Sequence, residues 1–326
     1  MAREQLGICA EPNLHGLVFL LNAIDGHQAL LRQQLARLPM LINRLSDQFS
    51  EANLSAVVAI GVGYWDTLYP EQRPDQFTPF PSFLLEELHM SAKPYDLMLQ
   101  IRADRYDVLH VAAQQSYQLL MPSIEVAEQI HCFRYLDGRE LTGFIDQPDA
   151  VKGRRKRAVA LIDPTQQAEF AGGSYVHLQR SHLDLSHWQQ LTQAQQEAII
   201  GREKLDGTLL PLAQRAANCH AVKAELVNDA AEPLPLLLQN MPFGQLKVQG
   251  LLTLGFSCHA NVYPAWLAKR LGYRLPALTE HGYPLLELTI GDEAAEYDAL
   301  LDYIQIETSA VFFAPSISFM EHAAGI

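Results

Sequence analysis

The order in which strand-like and helix-like segments alternate most restricts the folds open to this chain. Leu17–Leu21 is a continuous apolar run of strand length, and leucines then recur at 30, 31, 35, 38, 41 and 45 between Gly26 and Phe49, a helical spacing. Pro39 falls inside that helix and predicts a kink or a split. Leu54–Ile60 reads as a second strand, Tyr69–Pro81 as a proline-rich irregular excursion, and Asp96–Ile101 as a third strand. A helix over Arg105–Leu119 and a strand over Ile124–Tyr135 complete a β-α-β-β-α-β cycle, the order of a ferredoxin-like unit.

A second cycle follows. Val159–Ile162 and Gly173–Leu178 read as strands, Ser186–Gly201 as helical, and Ala221–Leu226 and Leu246–Ser257 as strands. Helices near Pro264–Leu271 and Glu293–Leu301 lead into a last strand at Ser309–Phe313. The expected class is α+β: two stacked α+β units, residues 1–150 and 151–326. The halves share no residue-level repeat, so any duplication is structural.

Composition narrows the partners. Across 326 residues, 24 lysines and arginines stand against 37 acids, a net charge of −13 that repels phosphate backbones and anionic lipid. Nucleic acid and membrane surfaces are therefore not expected as partners. Cys9, Cys132, Cys219 and Cys258 are far apart, with no C-x-x-C pair, which signals neither a zinc site nor a disulfide framework. Without an apolar leader-like run or a membrane-length segment, the expected location is the cytoplasm.

Three separate segments carry chemistry. Gly143-Phe144-Ile145-Asp146 offers a carboxylate, Cys219-His220 an imidazole, and Leu238-Gln239-Asn240-Met241-Pro242-Phe243-Gly244 a carboxamide. Such a set can face the two sides of a flat cofactor, with His220 as axial ligand to a haem iron. An axial histidine binds best when its other ring nitrogen donates to a carboxylate, and Asp302 is the expected partner. Asp146 is the expected acid–base group, and Asn240 a donor beside it. Asp146 before Gln147-Pro148 is also an ordinary turn former, and Asp302 equally an ordinary solvent-facing helix residue. His220 is expected at the mouth of the strand that follows it.

The basic run Lys152-Gly153-Arg154-Arg155-Lys156-Arg157 reads either as a solvated interdomain loop or as a clamp for the carboxylates of an acidic ligand. Arg154, Arg155 and Phe256 join His220 and Asp302 in the expected cofactor-binding set. Trp65, Trp188 and Trp266 read as packing residues.

Several of these motifs, in order, resemble those of the bacterial dye-decolourising (DyP-type) haem peroxidases. They are Gln5-Leu6-Gly7-Ile8, His131-Cys132-Phe133-Arg134-Tyr135, Gly143-Phe144-Ile145-Asp146 and Phe170-Ala171-Gly172-Gly173-Ser174-Tyr175-Val176. Ile200-Gly201-Arg202-Glu203-Lys204, His220, Asn240-Met241-Pro242-Phe243-Gly244 and Phe312-Phe313-Ala314-Pro315-Ser316 continue the series to the end of the chain. The resemblance implies tandem ferredoxin-like domains with antiparallel sheets, haem b held mainly by the second, His220 as proximal ligand, and Asp146 and Asn240 on the distal side. It also implies oxidation of small organic donors by hydrogen peroxide through a ferryl intermediate, and homodimers or higher homo-oligomers.

The chain departs from the family pattern at two places. Gln147 stands where the family has a glycine after the aspartate, and Leu238 where it usually has an arginine two residues before the asparagine. Loss of that cation predicts a slower peroxidase, by roughly 10²–10³ in rate. The alternative is a haem-binding sensor, carrier or store with little peroxidase activity. A scaffold that has lost haem altogether is a third reading.

Overall fold

The computed structural model describes residues 2–225, 227, 234–273 and 296–326. Nine strands lie among them: β1 (His15–Ala23), β2 (Ser55–Gly61), β3 (Ser91–Ala92), β4 (Leu97–Ala103), β5 (Ile124–Phe133), β6 (Ser174–Leu183), β7 (Leu237–Gly244), β8 (Gln249–Ser257) and β9 (Ile304–Ala314). Their order is β2-β4-β1-β5-β7-β8-β6-β9, and β9 pairs back onto β2, closing eight strands into an antiparallel barrel. The short β3 adds in parallel to β9.

Each half contributes four strands in the same internal order, with its two central strands adjacent and its first and last crossing over, as a ferredoxin-like unit requires. The seams between halves are thin. Cys132 opposite Phe243 joins β5 to β7, and Ile60–Phe313 with Gly61–Phe312 joins β2 to β9. The expected α+β class with two ferredoxin-like repeats is the fold observed.

Closure buries both faces of most strands, which explains why they read as nearly unbroken apolar runs rather than alternations. Val18, Leu20, Val57, Ala59, Met98, Val176, Leu178, Leu254, Phe256 and Phe312 pack on the face shared by the two halves. Their sequence neighbours Leu17, Phe19, Val58, Ile60, Leu99 and Phe313 face outward, against a second core that includes the helices Gln28–Gln48, Tyr106–Leu120 and Val262–Arg270. A polar thread crosses the interior: Gln239 donates to the carbonyls of Gly7 and Ile8, and Arg102 to that of Gly7.

Several elements differ from expectation. The helix Gln28–Gln48 runs unbroken through Pro39, because the apolar face of Leu31, Leu35, Leu38, Ile42 and Leu45 stays buried on both sides of it. Val159–Ile162 is no strand; Val159 and Ala160 end the helix Arg155–Ala160, whose first turn takes in the last three residues of the basic run. Residues 220–224 form a short helix instead of a strand. The Asn240 segment is itself β7, and Pro242 is tolerated there because β7, paired along its length with β8, meets β5 only at Cys132–Phe243, so that edge needs few ladder donors. The helix expected at Glu293–Leu301 lies partly outside the described residues, which resume before a 3₁₀ turn at Ala299–Tyr303.

Candidate active site

Asp146 stands at the end of a tight hairpin. The Glu140 amide donates to the Phe144 carbonyl at 2.9 Å and the Asp146 amide to the Gly138 carbonyl at 3.0 Å, with Arg139 bridged to Ile145 between them. Gly143 turns the hairpin at φ +88°, a conformation that costs other residues about 1–2 kcal/mol. The Arg139 guanidinium then locks it in place by donating to the carbonyls of Gly143, Lys204 and Leu205 at 2.7–2.8 Å.

Phe144 anchors the hairpin in a small core with Trp188, Ile200 and Leu300, and the Trp188 indole donates to the Thr142 carbonyl at 3.0 Å. That cluster draws the carboxylate segment toward the segment that follows Asp298. Trp65, Trp188 and Trp266 are all buried.

The Asp146 carboxylate accepts from Asn240 Nδ2 at 2.7 Å and from Gln147 Nε2 at 3.2 Å. Asn240 Oδ1 is buried and has no hydrogen-bond partner among the described residues. Gln147 occupies the left-handed region at φ +43°, so the turn persists where the glycine is replaced, and the new side chain leans onto the acid. Its Nε2 also lies 3.5 Å from the Leu238 carbonyl.

Strand register separates two residues that were expected to act together. On β7 and β8, Asn240 is opposite Thr253 and Leu238 opposite Gly255, whereas Phe256 is opposite Leu237. Side chains alternate between faces, so Phe256 points into the barrel interior, away from Asn240. Its place in the cofactor-binding set is therefore corrected: it is a fully buried core residue. On the Asn240 face, Tyr263 lies against Gly255 so closely that an added Cβ would meet its ring at 2.2 Å.

His220 opens the helix His220–Ala224, with Cys219 as its N-cap. Its Nδ1 donates to Asp298 Oδ2 at 2.8 Å. Asp298, fully buried, also accepts from Arg270 Nε at 2.7 Å, and its Oδ1 caps the turn through the Leu300 amide. Arg270 is held in turn over the Trp266 ring, and the Trp266 indole donates to the Ala224 carbonyl at the end of the His220 helix.

Asp302 does not fill the role expected of it. Its carboxylate accepts from the Tyr297 hydroxyl at 2.7 Å, and the carboxylate on His220 is Asp298, four residues earlier. Both aspartates flank the same Leu-Leu pair, and no local feature of the sequence favours one over the other.

Burial acts differently on the three acids. Burial opposes the charge on Asp298, but His220 and Arg270 outweigh it and hold the carboxyl well below the usual range. Asp146 is raised by burial, against the bonds from Asn240 and Gln147. Glu140 is pushed up to about 8 by burial and by the neighbouring Asp146 charge, with Arg270 opposing.

Arg154 and Arg155 are exposed at the start of their helix, and neither side chain makes a hydrogen bond or ion pair among the described residues. Their neighbours are committed elsewhere, Lys156 to Glu11 and Arg157 to Glu4. Four residues that sequence reasoning did not assign therefore join the site: Glu140, Gln147, Arg270 and Asp298. Of these, only Gln147 had a signal, as a departure from the glycine pattern.

Comparison with known proteins defines the class. Residues 15–134 match the family description "Dyp-type peroxidase, N-terminal" and residues 137–319 its C-terminal counterpart. The chain belongs to the Dyp-type peroxidase family. It is 30% identical over 309 residues to the dye-decolorizing peroxidase of Mycobacterium tuberculosis, spanning 94% of this chain and 86% of that protein. A dyp-type peroxidase protein from Shewanella oneidensis superposes with a TM-score of 0.89 at 35% identity over 99% of both chains. A DypB variant from Rhodococcus jostii, solved in complex with heme, gives 0.82 at 26% identity, over 97% of this chain and 98% of that one. No helix among the described residues is long and apolar enough to cross a membrane.

Proposed function

We propose that the chain is a haem-dependent peroxidase that oxidises small organic donors with hydrogen peroxide. The observation that carries this reading is the His220–Asp298 pair: with Nδ1 committed to a buried carboxylate, the imidazole keeps Nε2 as its ligand atom. Asp146 with Asn240 supplies an acid–base group and an amide donor, and the buried Oδ1 of Asn240, which has no hydrogen-bond partner among the described residues, is an acceptor left over beside them. This donor set fits haem. Bound there, haem would supply the iron at which peroxide is reduced.

The residues divide the remaining work. His220 would hold the iron, oriented by Asp298, and Asp298 is kept ionised by Arg270. Asp146 would take a proton from peroxide and return it to the departing oxygen, while Asn240 fixes the orientation of the carboxylate. Leu238 brings no charge to this face, so transition-state charge goes unneutralised and the enzyme is slower than relatives with a cation there. The exposed Arg154 and Arg155 are cations available to the carboxylates of the bound group. We divide the chain into residues 1–150 and 151–326, the second carrying the iron ligand, and place it in the cytoplasm as a homodimer or larger homo-oligomer.

A haem carrier or store is the second reading, favoured by Leu238 and by the Gln147 carboxamide on Asp146. Absorption spectra of purified protein before and after hydrogen peroxide separate the two. A Soret band that peroxide changes rapidly, and more slowly in Asp146→Ala, supports the peroxidase. An unchanged band, with ready haem transfer to an apo-acceptor, supports the carrier.

A further inference from the structure

Glu140 is used by nothing described above, yet it lies beside the acid that the proposed function depends on. Across the hairpin, Glu140 is opposite Phe144 and Asp146 opposite Gly138, so the two acids are diagonal neighbours on one face. A glutamate spans such a diagonal, which puts its carboxyl group within reach of the Asp146 carboxyl. A carboxyl–carboxyl hydrogen bond requires that one of the two carry a proton.

The surroundings decide which one. Asp146 already accepts from Asn240 and Gln147, donors that favour its charged form. The cation acting on Glu140 is Arg270, whose Nε is committed to Asp298. The other nearby cations are turned to neutral groups or elsewhere: Arg139 to three backbone carbonyls, Lys204 to Gln196, and Arg202 to Asp149.

We propose that Glu140 and Asp146 share a single proton that resides on Glu140, which makes Glu140 a positioning residue that keeps Asp146 ionised and directs a third donor onto it. Burial and the adjacent negative charge both favour this protonated form into neutral pH. During turnover the dyad starts with one proton, holds two when Asp146 takes one from peroxide, and returns to one when a proton passes to the departing oxygen. This inference rests on the reading of Asp146 as the acid–base group, but the proton count of the pair can be read without turnover.

The test is a pH titration of the full-length protein by infrared difference spectroscopy, following the protonated-carboxyl band. In the native protein this band should persist into neutral solution and disappear with a midpoint near 8. Glu140→Gln should lack it. Asp146→Asn should keep it but lower its midpoint by about one unit or more, because the like charge is gone. Circular dichroism establishes that both variants fold. No band above the ordinary carboxylate range, a midpoint unmoved in Asp146→Asn, or a band retained in Glu140→Gln and lost in Asp146→Asn would each overturn the assignment. Because no haem chemistry is read, failure of the peroxidase proposal leaves this result standing, and the reverse also holds.

Discussion

His220 Nδ1 lies 2.8 Å from Oδ2 of Asp298, a carboxylate with no exposed surface, and the same oxygen accepts from Arg270 at 2.7 Å. The imidazole is thereby fixed by a charge that is itself fixed from behind. Removing one member of such a buried set leaves the others uncompensated, which costs more than the geometry of any single bond would suggest.

Asp298→Asn should therefore weaken haem affinity by about 10–100-fold, the usual cost of losing a partner behind a ligating histidine. Asp302→Asn, whose hydrogen-bond partner among the described residues is the Tyr297 hydroxyl, should leave affinity within about twofold, in the range of an exposed pair. Haem titration followed in the Soret region compares the two, and equal losses would contradict the assignment of Asp298.

Leu238→Arg should speed the reaction with peroxide by roughly 10²–10³, because it restores a cation next to Asn240 where charge develops. The position is opposite Gly255 across the strand pair, where the Tyr263 ring packs, so the arginine must extend past that ring. Stopped-flow absorbance after mixing with peroxide measures the gain; a rate equal to that of the native protein would show that the cation is not what limits it.

Gln147→Gly should stabilise the fold by up to about 1 kcal/mol, since glycine accepts a positive φ without the penalty borne by glutamine. It should also leave Asp146 with one donor fewer and more easily protonated. Urea unfolding reads the first effect, and a fall in stability would show that the Gln147 side-chain bonds outweigh backbone strain.

Stability should depend on pH with opposite signs at its two ends. Asp298 is held below its unfolded value, so its contribution is complete above the ordinary carboxylate range and is lost as pH falls through that range and below it. Glu140 is held above its unfolded value of 4.5, so the folded state keeps a proton the unfolded chain has released, and stability declines as pH rises from there to about 8. Glu140→Gln should flatten the alkaline side alone. Thermal unfolding midpoints across pH 3–9 test both limbs, and an unchanged alkaline slope in the variant would remove Glu140 as its cause.

Much of the fold was legible because its signals are local. Helical leucine spacing and strand-length apolar runs gave the first β-α-β-β-α-β cycle nearly intact, with the helix at Tyr106–Leu120 and the strand at Leu97–Ala103 close to their expected limits. The second half was harder to read. Val159–Ile162 has the apolar content of a strand, but it is a helix end packed near β7 and β8, where burial and not periodicity sets its composition.

The sequence by itself determined the two-unit architecture and offered His220, Asp146 and Asn240 as separate chemical groups. Only tertiary structure brought Asn240 onto Asp146, 94 positions away, and set Asp298, 78 positions away, behind His220 in preference to Asp302. It also turned Phe256 into the barrel by a register that pairs it with Leu237, and set Glu140 diagonal to Asp146. The physical reason is one of range. Backbone preference and hydrophobic period act over a few residues, whereas the partner of a buried charge is chosen by which distant strand or turn closure brings within hydrogen-bond reach.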